Sequence, residues 1–402
     1  MFAILIMSCI FHAAAIFNLS GKGLPPILFA ECLFVLKVCF NRVAHNNHLN
    51  NLIVKYFILF YIVAVLTTLL CPFLFEGIGV IKPGETTDYD LIRGNIWGHL
   101  SFTSSNVMHL LYLTLHLMTI ISLLRVKKII PDDWIIRVFK CAVLVVCIVG
   151  FWEFTSKTTG AIYFPDEFFY SNEGYSQLWL DSKNRMNSTF TEASAAGSFL
   201  AASFWALSAF PKKNIFLMVT VCICLILNMS GTGVVSFSLF GIVYMISIKK
   251  AKTVLSVFVV FLILYGISVI LGYDKAIYEM LEGKSESDSG LARMGAVTYT
   301  LKLIPNTYFF GVGLGSHRDF SFISGLVASV GIAGCLLFFR FLWKILSNIS
   351  DEHSMWIRNF AACFFIAQCI AIPDFSFPVL WMWIFMAIAL NEKNYSVPNI
   401  SK

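Results

Sequence analysis

Charged residues are scarce in this chain. Asp, Glu, Lys and Arg make up only 13% of its 402 residues, against 58% hydrophobic and 15% aromatic. Soluble domains carry about 25% charged residues, so a water-soluble fold is excluded and much of the surface must face something apolar. A basic patch is also missing. The net charge is +6, but the basic residues sit in short loops between the apolar runs, a pattern that does not point to a nucleic-acid partner. No disulfide framework is expected. Most of the eleven cysteines fall inside apolar runs (Cys9, Cys32, Cys39, Cys141, Cys147, Cys222, Cys224). Cys222-x-Cys224 lacks the spacing and partners of a metal site, so these thiols read as small packing residues. No basic stretch precedes the first apolar run. That run therefore reads as a retained span rather than a signal peptide, although Ala13-Ala14-Ala15 has the composition of a cleavage site. No internal repeat and no low-complexity tail is visible.

What the chain does have is a succession of apolar runs of about 17–25 residues, the length a helix needs to cross hydrocarbon. They fall at 2–17, 24–40, 52–74, 100–124, 134–152, 189–209, 214–230, 231–248, 253–272, 320–346, 357–372 and 376–390. Turn signals separate them, among them Lys82-Pro83-Gly84, Pro131-Asp132-Asp133 and Pro211-Lys212-Lys213. Ser230-Gly231-Thr232-Gly233 reads either as a turn or as a kink in one long helix. The expected fold class is all-α: one polytopic membrane domain over 1–402 with about twelve transmembrane helices. Alternate loops differ in charge. One set holds eighteen of the 29 basic residues and five of the 23 acids; the other holds eleven and seventeen, with Glu31 left inside a span. The positive-inside rule puts the first set and both termini in the cytoplasm. Two long polar loops, 153–188 and 273–319, then lie on the far side. The second carries Glu282 to Gly290, a run that reads as a mobile lid or an exposed loop.

These loops are where the chain has enough polar residues for chemistry. The second closes on Gly311-Val312-Gly313-Leu314-Gly315-Ser316-His317-Arg318-Asp319. Its glycines permit a tight turn, but no strand precedes it and no Gly-Lys-Ser follows, so it is not a nucleotide loop. Arg293 and Arg318 each offer a planar fork that matches phosphate oxygens; for Arg318 the plainer alternative is snorkelling beside lipid headgroups. His317 is either a base near neutral pH or a satisfied turn histidine. The first loop ends with Arg185, a cation at a helix entrance, where the dipole favours an anion. Glu192 follows, as a general base at the lip of the bundle or as a plain N-terminal helix acid. Asp88-x-Asp90 has metal-pair spacing but reads better as a solvated acidic turn. Glu31 is an intramembrane carboxylate and thus a functional candidate, with Lys37 a poor partner. His109 and His116 share a helix face without a third ligand, which favours packing over metal. Asp374 is placed to reach the same outer vestibule.

Three short stretches together resemble the O-antigen polymerase and ligase families of bacterial envelopes. The first is Arg185, Ser188-Thr189-Phe190 and Glu192-Ala193-Ser194, with alanine where the families carry proline. The second is Asn228-Met229-Ser230-Gly231-Thr232-Gly233. The third is Ser289-Gly290-Leu291-Ala292-Arg293, then Pro305, Gly311 to Ser316, and Ser329-Val330-Gly331-Ile332-Ala333-Gly334. The resemblance implies a helical membrane glycosyltransferase of the GT-C-like kind in the bacterial inner membrane, with its active face in the periplasm. It implies transfer of a growing glycan from polyprenyl pyrophosphate to a sugar hydroxyl of a lipid-linked repeat unit. Arg185, Arg293 and Arg318 would hold the pyrophosphate, and Glu192 or His317 would act as base. No metal and no cofactor is implied. Membrane lipid, a chain-length regulator and a flippase are the implied partners. A ligase acting on lipid A core and a flippase are the alternative activities.

Overall fold

A chain in hydrocarbon must satisfy its own backbone amides, and a helix does so within one segment. The computed structural model describes residues 1–19, 22–40, 51–82, 85–173, 185–248, 288–349 and 351–391 and is built largely this way. Its helices are α1 Phe2–Ser8, α2 Pro26–Phe40, α3 Leu52–Leu74, α4 Asp88–Arg93, α5 Ser104–Val126, α6 Asp132–Thr159, α7 Asp166–Phe169, α8 Ala193–Ser208, α9 Ile215–Asn228, α10 Gly231–Ile248, α11 Asp288–Asn306, α12 Phe322–Ser347, α13 Asp351–Ala371 and α14 Pro378–Ala389. The extended structure is a two-residue antiparallel pair, β1 Asn18–Leu19 with β2 Lys22–Gly23. Among the described residues, α3, α5 with the short turn after it, α6 and α12 are long and apolar enough to cross a membrane. The apolar helices α8, α9, α10, α14 and the Met355–Ala371 part of α13 are shorter. The expected span at 253–272 and the run from Glu282 to Ser287 lie outside the described residues.

Caps explain several boundaries. Asn51 accepts the Ile53 N–H at 2.9 Å and starts α3 where the apolar run begins. Thr103 and Asn106 form a reciprocal box at the start of α5. Gly160, left-handed at φ 63°, ends α6. The break at Met229 (φ 46°) makes α9 and α10 two helices rather than one kinked one. The first apolar run departs from expectation: it is helical only to Ser8. Beyond that its backbone bonds to distant loops, Ala13 N–H to the Thr189 carbonyl at 3.1 Å and Ala15 N–H to Ser171 Oγ at 2.9 Å. Those long-range partners replace the in-helix ones.

The centre of the bundle is α14. All of its side chains are buried, as befits a helix that is apolar all round. It packs on α1, α5, α6, α12 and α13. Trp381 stacks on His116 of α5 with ring centroids 3.8 Å apart. His116 Nδ1 in turn meets both carboxylate oxygens of Glu31 on α2, at 2.8 and 3.0 Å. Glu31 therefore has a partner, one of the two histidines and not Lys37.

Contacts also sort the two ends. At one end Phe2 meets Trp134, Phe210 meets Trp356, and the Arg358 guanidinium donates to the Leu346 carbonyl at 2.9 Å. At the other, Ser171 meets Ala15, Met186 meets Leu227, and Tyr299 donates to the Gly79 carbonyl at 2.8 Å.

α12 is broken at Gly331, whose φ 72° and ψ 176° are not helical. Phe322 and Phe338 are sixteen residues apart, about 24 Å along a straight helix, yet their ring centroids lie 6.2 Å apart. The two halves therefore meet at a sharp angle. The chain just before the helix fills the break. Val312 and Gly313 donate to the Ala328 and Ser329 carbonyls at 2.8 and 2.9 Å, and Ile332 donates to the Phe309 carbonyl at 3.1 Å.

Candidate functional site

The glycine-rich turn is seated by this break. Gly311, Gly313 and Gly315 all have positive φ (86°, 92° and 77°). Leu314 N–H bonds to Thr68 Oγ1 of α3 at 3.0 Å, and Asn106 of α5 donates to the Leu314 carbonyl and to Ser316 Oγ, both at 2.7 Å. Three helices thus hold the turn that carries His317, Arg318 and Asp319. Beside it lies α11, whose Ala292 and Ala296 bury against Ile81 and Leu91, with Phe320 packed on the same cluster.

That packing brings Arg293 and Arg318 together. Their guanidinium carbons stand 5.8 and 5.5 Å from the centroid of one ring, that of Phe320. Arg318 is exposed and Arg293 half-buried. Among the described residues no carboxylate forms an ion pair with either. Two like charges on one aromatic ring, with no ion-pair partner among the described residues, form a candidate site for an anion with several oxygens.

His317 is bonded at both ring nitrogens. Ile81 N–H donates to Nδ1 at 3.1 Å, so Nδ1 is the acceptor, and Nε2 meets Thr300 Oγ1 at 2.8 Å. The neutral ring with its proton on Nε2 fits both partners. Its lone pair is thus engaged with the backbone, and the ring acts as a latch between Ile81 and α11. Burial holds its pKa at about 4, below the ordinary 6.5. The unfolded chain therefore takes up this proton at a higher pH than the folded one. The contribution to stability is full above about 6.5 and is lost as pH falls through about 4. Thermal melts should lose stability across that window, and His317→Gln should flatten the slope; an unchanged slope in the variant would sink the latch.

Asp319 is buried beside the latch. It accepts from Phe320 N–H at 2.7 Å and from the Ser324 hydroxyl. Burial raises its carboxyl above the usual range, and the hydrogen bonds, to Ser324 foremost, pull it partly back. It lies inside the motif quoted from the sequence, yet its role as the anchor at the start of α12 was not read there.

The first loop supplies a second group. Arg185 is exposed at its end. Glu192 is the N-terminal flanking residue of α8, is exposed, and accepts from Ser194 Oγ at 3.0 Å. Among the described residues neither Arg185 nor Glu192 bonds to Arg293 or Arg318. His12 lies 3.2 Å from Thr191 Oγ1 with its ring tilted against that of Phe377, and Asp374 is exposed and held by Ser376.

Asp90 is consumed by a capping box. Thr87 N–H and hydroxyl reach its Oδ2 at 3.0 and 2.6 Å, and these bonds hold its carboxyl below the usual range. His109 Nδ1 donates to the Ser105 carbonyl at 2.8 Å. No cluster of three or more metal-ligating side chains occurs among the described residues. The residue that the sequence reading passed over is Glu153. A span boundary drawn at 152 put it in solvent, whereas α6 continues to Thr159 and buries it. Its signal was Lys157, one helical turn on.

Comparison with protein-family models, curated proteins and solved structures found no match. In the fold, the first stretch packs on the second, and the two glycine-bearing parts of the third pack on each other. Met186 bonds to Leu227 and Asn228, Gly197 and Gly233 lie in backbone contact, and Gly311 abuts Gly331.

Proposed function

We propose that this chain is a membrane-embedded glycan polymerase acting on polyprenyl-pyrophosphate-linked oligosaccharide. It spans a bacterial inner membrane about twelve times, with both termini cytoplasmic and the Arg-bearing end in the periplasm. The observation that carries the reading is the convergence of Arg293 and Arg318 on Phe320 without an acidic partner among the described residues. The donor's sugar–phosphate bond breaks and the pyrophosphate leaves with the bonding pair. The acceptor hydroxyl oxygen bonds to the freed anomeric carbon and gives its proton to a base. Cations that neutralise the leaving group stabilise this transition state. Arg293 and Arg318 do so from one side and Arg185 from the other. With the His317 lone pair engaged, Glu192 is the base.

A transporter for lipid-linked sugar is the second reading, and two observations favour it: the broken helix α12 and the buried Glu31–His116 pair. Deleting the gene and resolving surface lipopolysaccharide on a gel separates the two. Core bearing a single repeat unit is the expected result. Bare core with single units trapped inside points to the transporter, bare core with polymer waiting outside to a ligase, and an unchanged ladder removes the O-antigen reading.

A further inference from the structure

Glu153 lies outside the transfer chemistry, yet its surroundings are built around its charge. The carboxylate is fully buried. Lys157 Nζ donates to Oε1 at 2.6 Å and the Tyr170 hydroxyl to the same oxygen at 3.0 Å. Asn187 and Ser188 N–H both donate to Oε2, at 2.8 and 2.5 Å. Two successive backbone N–H groups aimed at one oxygen form an anion nest, and here the nest is closed from inside by the protein's own carboxylate. Ser188 sits in the left-handed region at φ 57°, which L side chains rarely adopt.

The rest of this turn is tied as firmly. Lys157 Nζ also reaches the Arg185 carbonyl at 3.4 Å, Met186 N–H donates to the Leu227 carbonyl at 3.3 Å, and Asn228 Nδ2 donates to the Met186 carbonyl at 2.5 Å. Every residue from Arg185 to Ser188 is therefore anchored by its main chain, while the Arg185 side chain stays exposed. A rigid backbone under an exposed cation lowers the entropy lost when that cation binds its anion.

We propose that Glu153 is a positioning residue for Arg185: its carboxylate fills the Asn187–Ser188 nest, fixes the left-handed turn and so sets where the guanidinium meets the substrate pyrophosphate. This rests on the reading of Arg185 as a phosphate-holding cation. Glu153→Gln keeps the shape of the side chain but offers a single acceptor oxygen to four donors and turns an NH2 toward the rest.

The test uses the full chain in lipid vesicles with the lipid-linked repeat unit. Glu153→Gln should lower kcat/KM by about 100-fold, the effect of displacing a positioned group by about 1 Å. Arg185→Lys should lose a similar factor, and the double variant should be no worse than Arg185→Lys alone. Ser188→Gly placed on Glu153→Gln should restore most of the loss, because glycine takes the left-handed conformation without a clamp. Amide exchange at residues 186–188 should speed up in Glu153→Gln and return toward normal in the rescued variant. Additive losses in the double variant, or unchanged exchange at 186–188, overturn the proposal. If Glu153→Gln does not accumulate, Glu153→Asp, which keeps the charge but falls short of the nest, is held to the same two outcomes. Full activity in Arg185→Lys instead removes Arg185 from the substrate site, and the exchange data still judge the clamp.

Discussion

Replacing Arg293 with lysine should abolish polymer while leaving the fold intact. Arg293 is half-buried, and its guanidinium faces the ring it shares with Arg318. A lysine keeps the charge but loses the planar fork and the face-on contact with Phe320. Removing one preorganised donor from a site where charge develops costs about 100- to 1,000-fold in rate. Arg318→Lys should act in the same direction, more weakly, because Arg318 is exposed to water and screening. The checks are the glycan ladder in cells and the transfer rate of the purified protein in vesicles. Melting temperature serves as the control for folding, since neither arginine has an ion-pair partner among the described residues to leave stranded. Normal chain length in Arg293→Lys would remove this pair of arginines from the active site and with it the main support for the polymerase reading.

The largest expected effect on stability is at Gly331. Its φ and ψ fall in a region open essentially to glycine alone, where other residues carry about 1–3 kcal/mol of strain. Space is also missing: a Cβ there would stand 2.5 Å from the Phe309 carbonyl oxygen and 2.7 Å from that of Phe310. Both neighbours are backbone and cannot rotate away. Gly331→Ala should therefore cost about 3 kcal/mol or more. It should also loosen the turn that carries His317 and Arg318, because the Phe309 carbonyl is the acceptor for Ile332. Gly77→Ala makes a useful comparison. Gly77 is left-handed at φ 82°, but nothing lies within 4 Å of its missing Cβ, so only about 1–2 kcal/mol of strain is expected. Thermal unfolding of the two variants measures the difference. Equal shifts would mean that α12 bends by itself, without needing the turn packed into its break.

Much of the helical frame was legible. α3 runs from Leu52 to Leu74, the bounds of its apolar run, because a capping Asn51 starts it and at Phe75 the backbone leaves the helical region. What the sequence hid were facts of long-range bonding. The stretch from Cys9 to Phe17 is apolar enough for a helix, yet past Phe11 the amides of Ala13, Ala15 and Ile16 answer to Thr189, Ser171 and Leu24. Gly331 stood in a stretch that carried the resemblance, but nothing local says that residues 309–313 will pack into it. The site divides in the same manner. Arginine forks and a glycine turn could be named from residue type alone. That Arg293 and Arg318, twenty-five positions apart, share Phe320 depends on α11 packing against Ile81 and Leu91. That His317 is a latch depends on a single backbone N–H from Ile81.

The central position of α14 bears on how the protein is made. Its twelve residues span about 18 Å, well short of the hydrocarbon thickness, and it is enclosed by protein rather than lipid. The ribosome delivers it after every helix it packs against. Until then α5 lacks the indole that covers His116, and the space α14 fills among α1, α5, α6, α12 and α13 stands open. The earlier helices can pair with one another, as α3 with α12 and α8 with α13, but the bundle closes around its centre only when α14 arrives. A chain arrested before Pro378 should be inserted, open at its middle and an early target for membrane proteases.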